Sequence, residues 1–122
     1  MNDLRGDPNT LKVKPVLRST KLRDREDGSP QGPGYFGLLY NEDYPDMTST
    51  EIPATVFNVH GQMTLLIPTI VPTLNRQELI HLVDGGKPTF MIIEKARHHA
   101  EQRLRNGRSP FAQWGEEPVP LP

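Results

Sequence analysis

Cysteine is absent from the 122-residue chain, so disulfides and thiolate metal sites are closed to it, a composition compatible with a reducing cytoplasm. Aromatics are scarce, at 7% with a single tryptophan. Hydrophobic residues make up only 34%, against 13 prolines, which limits the chain to one small core. No apolar run approaches the roughly 20 residues that span a bilayer. The opening Met-Asn-Asp-Leu-Arg-Gly-Asp-Pro lacks the apolar stretch of a signal peptide, so the expectation is a chain that is not exported by the general route and has no membrane partner. Charge of one sign is missing too: 14 basic and 15 acidic residues leave a net charge of −1, and no overall field draws the chain to nucleic acid.

What order the chain does encode is unevenly placed. Residues 1–48 mix charges with breakers at Pro8, Pro15 and Pro30 and read as a long extended arm. Within it, Leu11-Lys-Val-Lys-Pro-Val alternates apolar and basic residues, a pattern suited to adding a strand to a neighbour's sheet edge, although composition alone favours a solvated tail. The patch Tyr35-Phe-Gly-Leu-Leu-Tyr40 is too apolar for water and is expected to pack on the C-terminal half or on another subunit. Leu11, Val13, Val16, Leu17, Tyr35, Phe36 and Leu38 are therefore the candidate partner-binding anchors.

Residues 49–112 read as a small α+β module, a β-hairpin or sheet packed with two helices. Thr48-Ser-Thr-Glu-Ile52 is expected to form a short strand leading into it. Two β-prone runs then flank His60-Gly61, a loop suited to a primed turn that would pair Asn58 with Met63 and Val56 with Leu65. This register gathers Val56, Met63, Leu65 and Ile67 on one face and Phe57, Val59 and Leu66 on the other, and Pro68 ends the second strand.

The first helix has a full set of start signals: Asn75 as N-cap, Glu78 to close a capping box, and Leu74 with Leu79 as a hydrophobic staple. Gly85-Gly86 ends it. The second starts at Pro88 or Thr89 and carries Phe90, Ile93, Ala96, Ala100 and Leu104 at helical spacing. Gly107 is its expected C-cap, after which Ser109-Pro-Phe-Ala112 folds back so that Phe111 covers the helix end. Residues 113–122, with Pro118, Pro120 and Pro122, read as an extended Pro-rich tail.

Chemistry-bearing patterns are sparse. His98-His99 lies one turn from Glu94, yet adjacent helical residues diverge by about 100 degrees and cannot face one ion, so both are read as solvated helix residues. Gly28-Ser-Pro-Gln-Gly-Pro-Gly34 has glycines but neither the strand nor the helix of a phosphate loop, and Glu42, Asp43 and Asp46 lack calcium-loop spacing. Lys95, Arg97, Arg103, Arg105 and Arg108 form an expected basic outer face of a kind that meets phosphate or an acidic protein, but Glu94 and Glu101 dilute it, so a face that serves ordinary solubility is the better reading. No catalytic residue, cofactor or metal ligand is assigned, and the expectation is a protein that is not an enzyme.

The run Val59-His-Gly-Gln-Met-Thr-Leu-Leu-Ile-Pro-Thr69, then Val71-Pro-Thr-Leu74, Gly85-Gly-Lys-Pro-Thr89, Ile93-Glu-Lys-Ala96, His99-Ala100 and Gly107-Arg-Ser-Pro-Phe-Ala112, resembles a small domain recurring in tailed-bacteriophage genomes, sometimes attached to larger virion proteins. Ser49-Thr-Glu-Ile52 matches a run common before its hairpin, and Gln62 stands where that family usually carries Lys. The resemblance spans Ser49 to Ala112 and implies a structural component of a virion, in the tail, at the head-to-tail connector or among internal proteins. Made in the host cytoplasm, it would bind portal, tail or capsid subunits in multiple copies. The alternative is a small phage-encoded regulatory or host-takeover binding protein.

Overall fold

The computed structural model describes residues 10–59 and 61–122. Residues 1–9 of the expected arm and His60 of the expected turn lie outside the described residues. The architecture is α+β, with two small antiparallel sheets and two helices. Strands β1 (Leu11–Lys14), β2 (Leu38–Asn41) and β3 (Tyr44–Ser49) form one sheet in the order β1-β2-β3. Strands β4 (Pro53–Val59) and β5 (Gln62–Pro68) form the hairpin, and helices α1 (Arg76–Val83) and α2 (Phe90–Arg105) follow.

The hairpin register is the one its sequence predicts. Val56 pairs with Leu65 and Val59 with Gln62, which leaves two residues for the turn, and Gly61 has φ of +80° as a primed turn requires. Strict alternation fails at one place. Val56 and Val59 are both buried while Phe57 and Asn58 between them are exposed, because Asn58 at φ +57° breaks the pleat and turns Val59 back toward the core.

The three-stranded sheet corrects two expectations. The Leu11 run does not wait for a neighbour's sheet: it pairs with this chain's own β2, Leu11 opposite Asn41 and Lys14 opposite Leu38. The third strand lies earlier than Thr48–Ile52, because Tyr44–Ser49 pairs back on β2 while Thr50–Ile52 leaves the ladder. Ile52 stands at φ +45°, and its carbonyl accepts from the Thr69 hydroxyl at 2.6 Å.

Helix α1 begins as its sequence specifies. Asn75 Oδ1 accepts from the Glu78 amide at 2.8 Å, and Glu78 Oε1 accepts from the Asn75 amide at 2.9 Å. Its end is a Schellman closure, with the Gly85 amide on the Leu82 carbonyl, the Gly86 amide on that of His81, and Gly85 at φ +91°. In α2, Thr89 caps through its hydroxyl to the Ile92 amide. The buried stripe of α2 is Ile92, Ala96, Ala100 and Arg103, so it is rotated from the expected one, and Phe90 is 75% exposed.

One hydrophobic cluster unites both halves of the chain: Leu11, Tyr35, Phe36 and Leu39 pack with Val56, Val59, Ile67, Leu79, Ile80, Ile92, Ala96 and Ala100. Packing therefore shows no boundary at Ser49. The tail residues Val119 and Leu121 rest on the same cluster.

Replacing Asn75 with Ala removes the acceptor for a first-turn amide and is expected to lower stability by about 1 kcal/mol. Thermal melts of the whole chain read this directly, and an unchanged midpoint would show that the cap contributes nothing here.

Candidate functional site

The chain's polar chemistry concentrates at a junction where the segment between β1 and β2, the segment Thr50–Ile52 and the residues after α2 meet. Glu51 is 1% exposed. Arg25 grips it with two bonds, Nε to Oε1 at 2.9 Å and a terminal guanidinium nitrogen to Oε2 at 2.7 Å, and the Gly32 amide adds a third at 2.9 Å. The Arg25 guanidinium also lies over the Phe111 ring, 3.8 Å from its centroid. A charge so deep is tolerated only because every oxygen is answered by a donor.

A second unit of the same composition stands beside it. Arg103 binds both oxygens of Glu116 at 2.8 and 2.9 Å, donates to the Ser109 and Phe111 carbonyls, and sits over the Tyr35 ring. Glu116 also accepts from the Gln113 amide and from Arg108. These donors hold its carboxyl well below the usual range, at about 2, with the Arg103 bond as the chief cause. Tyr35 donates its hydroxyl to the Pro110 carbonyl at 2.5 Å, and burial pushes its pKa up to about 12. The two units share the Phe111 residue, ring to one and carbonyl to the other. They fold Ser109–Ala112 back over the helix end as its sequence predicts.

His99 packs against Tyr35 edge to face, with ring centroids 4.9 Å apart, and its Nδ1 is buried without a hydrogen-bond partner. This corrects the expectation of a solvated helix histidine for His99; of the adjacent pair, His98 is the exposed one. Burial, reinforced by the nearby Arg103 charge, pulls the His99 pKa down to about 4. Among the described residues no group of three or more His, Asp or Glu is placed to hold a metal ion. The acidic and basic groups of the junction are committed to one another.

Arg103 belongs to this interior and not to the outer basic face. The other four cations of that face are also answered: Lys95 by Glu78, Arg97 by Glu94, Arg105 by Glu101 and Arg108 by Glu116. Phosphate would have to compete with each of these pairs.

The structure also redistributes the seven candidate anchors. Leu11, Tyr35, Phe36 and Leu38 are buried within this chain, Val16 is half-buried, and Val13 and Leu17 are exposed. Of the two places expected for the Tyr35–Tyr40 patch, the C-terminal half is where Tyr35 and Phe36 pack, and with Leu11 and Leu38 also buried in this chain the reading of these four as anchors for another subunit is corrected. The large apolar side chains left in solvent lie elsewhere: Phe57 at 62% exposure, Met63 at 81%, Phe90 and Met91, with Tyr44 and Met47 on β3. The first four sit on the hairpin and on α2, which pack on each other, with Arg97 reaching the Phe57 carbonyl at 2.8 Å. Beside the junction, Arg18, Arg25, Gln31, Gln113 and Trp114 border a cleft of about 430 Å³ in which Arg18 lies over the Trp114 ring. No described helix is long and apolar enough to cross a membrane. Comparison with protein-family models, with curated proteins and with solved structures gave no match.

Glu51 was not legible as a buried charge, because a lone carboxylate between Thr50 and Ile52 carries no pattern. Arg103 did leave a signal: Ala96, Ala100 and Arg103 continue one helical stripe at i, i+4 and i+7, which places a guanidinium where an aliphatic side chain is expected.

Two outcomes are expected from this geometry. Arg25→Met leaves the Glu51 charge buried and unpaired and should cost roughly 3–5 kcal/mol in urea unfolding. The double change Arg25→Met with Glu51→Gln should cost clearly less; equal losses would show that packing, not charge, holds the junction. The second concerns acid. Below its unfolded pKa of 6.5 the unfolded His99 binds a proton that the native ring refuses until about pH 4, so native stability is full above pH 6.5 and falls as pH drops from there toward 4. The Glu116 contribution is present above the ordinary carboxylate range and is lost from there toward pH 2, in the same direction. Because the ring is only half-buried, solvent screening trims the His99 share to about 1–2 kcal/mol. Melts of wild type and His99→Phe between pH 7 and 4 test it, and parallel curves would rule it out.

Proposed function

We propose that this chain is a non-enzymatic structural component of a tailed-bacteriophage virion, present in several copies and binding neighbouring virion subunits. The phage assignment rests on the resemblance carried by Ser49 to Ala112. The observation that supports a binding role is the set of large apolar side chains, Phe57, Met63, Phe90 and Met91, left in water by a body that has already filled its own core. Monomeric proteins scatter such residues singly; four on two mutually packed elements favour an interface. The reading shifts the contact surface from the N-terminal segment, whose strongest anchors are internal, to the hairpin and the first turn of α2.

Mass spectrometry of purified particles tests the reading. A copy number matching a ring or shell is the expected result, and absence or trace amounts would assign the chain to the infected cell instead. Burying one large apolar side chain contributes about 1.5–3 kcal/mol, so Phe57→Asp with Met63→Lys should reduce incorporation at least tenfold while the thermal midpoint stays within a few degrees. Normal incorporation of that variant would place the contact elsewhere.

A further inference from the structure

The last ten residues hold to the body as a docked ligand does. Residues 113–122 form no helix or strand. Their attachments are few and discrete: Glu116 in the grip of Arg103 and Arg108, the Val119 amide donating to the Tyr35 carbonyl at 2.7 Å, Val119 and Leu121 side chains resting on the core, and Arg76 donating to the Pro122 carbonyl at 3.0 Å. Between this strap and the body a gap of about 400 Å³ remains, with Val13, Pro15 and Phe36 on one wall and Trp114 and Pro118 on the other.

The strap is also built as a ligand. Pro118, Pro120 and Pro122 alternate with Val119 and Leu121, so the backbone is preset to an extended form and loses little freedom on docking. Only Val119 and Leu121 of these five residues carry an amide hydrogen. The Val119 one is used on Tyr35 while both side chains supply the apolar anchors. Gly115, at φ +98°, provides the bend just before the acidic residue that meets the two arginines.

We propose that the groove framed by Tyr35, Arg76, Arg103 and Arg108 accepts the C-terminal segment of a second copy of this chain, so that copies are joined by exchange of residues 116–122. A second copy is the occupant because every recognition element is matched to this tail: acid to arginines, the one inward amide to a free backbone carbonyl, two aliphatic side chains to the core. An exchanged tail makes the same contacts, so two copies that swap lose none of them and bear only the cost of association. Short tethers hold a tail near its own groove at an effective concentration of the order of millimolar, so dilute chains close on themselves and crowded chains exchange.

The chain has no cysteine, which makes a single added thiol a clean label. Chains of residues 1–122 carrying Gln77→Cys with a donor dye are mixed with the same chains carrying Pro122→Cys with an acceptor, because Pro122 of a docked tail lies beside Arg76. Transfer between the two populations is expected to rise with concentration and to reach half its maximum near a millimolar. It should vanish when the acceptor chain also carries Glu116→Lys and Val119→Pro, which reverses the charge and removes the inward amide. A chain bearing both labels reports docking on its own body and should show high transfer when dilute. High transfer within one chain but none between chains up to a few millimolar overturns the proposal, as does low transfer in both.

Discussion

The carboxylate of Glu51 is the point on which the rest of the arrangement depends, because it is where segments without regular structure are tied to the elements that have it. Its two oxygens take Arg25 and the Gly32 amide, while its own carbonyl accepts from the Thr69 and Ile70 amides at the end of the hairpin. One residue thus anchors a loop on one side and the exit of β5 on the other. Gly34 shows how closely the chain closes there: a side chain would meet the Thr50 carbonyl oxygen at 2.5 Å, and its φ of +74° suits only glycine. Ile52, next in line, stands at φ +45°, a conformation that costs a β-branched residue about 1–3 kcal/mol and persists because the Thr69 hydrogen bonds to its carbonyl hold it.

Why a chain should fasten itself with buried ions follows from its composition. Long irregular stretches between β1 and β2 and after α2 supply few aliphatic side chains, so they cannot be held by burial alone. An arginine that lies flat on an aromatic ring while gripping a carboxylate does both tasks, covering apolar surface with its stem and fork and fixing a position through directed bonds. The structure uses the device twice, Arg25 between Phe111 and Glu51 and Arg103 between Tyr35 and Glu116, with Phe111 common to both. Such pairs add less net stability than a well-packed aliphatic cluster. They admit few alternative arrangements, because each buried charge has one set of partners that satisfies it.

What could be read from the chain beforehand is what is written locally: the hairpin turn, the capping box of Asn75 and Glu78 and the glycine closure after α1 each depend on residues a few positions apart. The sheet β1-β2-β3 depends on Leu11 finding Asn41, thirty positions away, through a segment of prolines and charges that gives no hint of return. An isolated alternating run such as Leu11–Lys14 fits an edge strand of any sheet, and only the tertiary arrangement decides that the sheet is its own. The rotated stripe of α2 failed for a different reason: Phe90 reads as core by hydrophobicity, yet in the first turn it stands in solvent, and Arg103 takes the inward position farther along. Paired charges at Glu51 and Glu116 had no periodic signature at all.

Burial of Leu11, Tyr35, Phe36 and Leu38 within one chain changes how folding and association relate. Had those residues waited for a partner, the first half of the chain would order only on binding, and the entropy of ordering would be drawn from the interface. With the core closed, that cost is already met during folding, and an interface has only to immobilise side chains such as Phe57, Met63, Phe90 and Met91 that stand on formed elements. The two sets of residues are separable in consequence. Substitutions in the first act on stability and reach association only through loss of the fold. Those in the second leave the core untouched, so under the proposed role they act on association alone, as in a subunit that folds before it assembles.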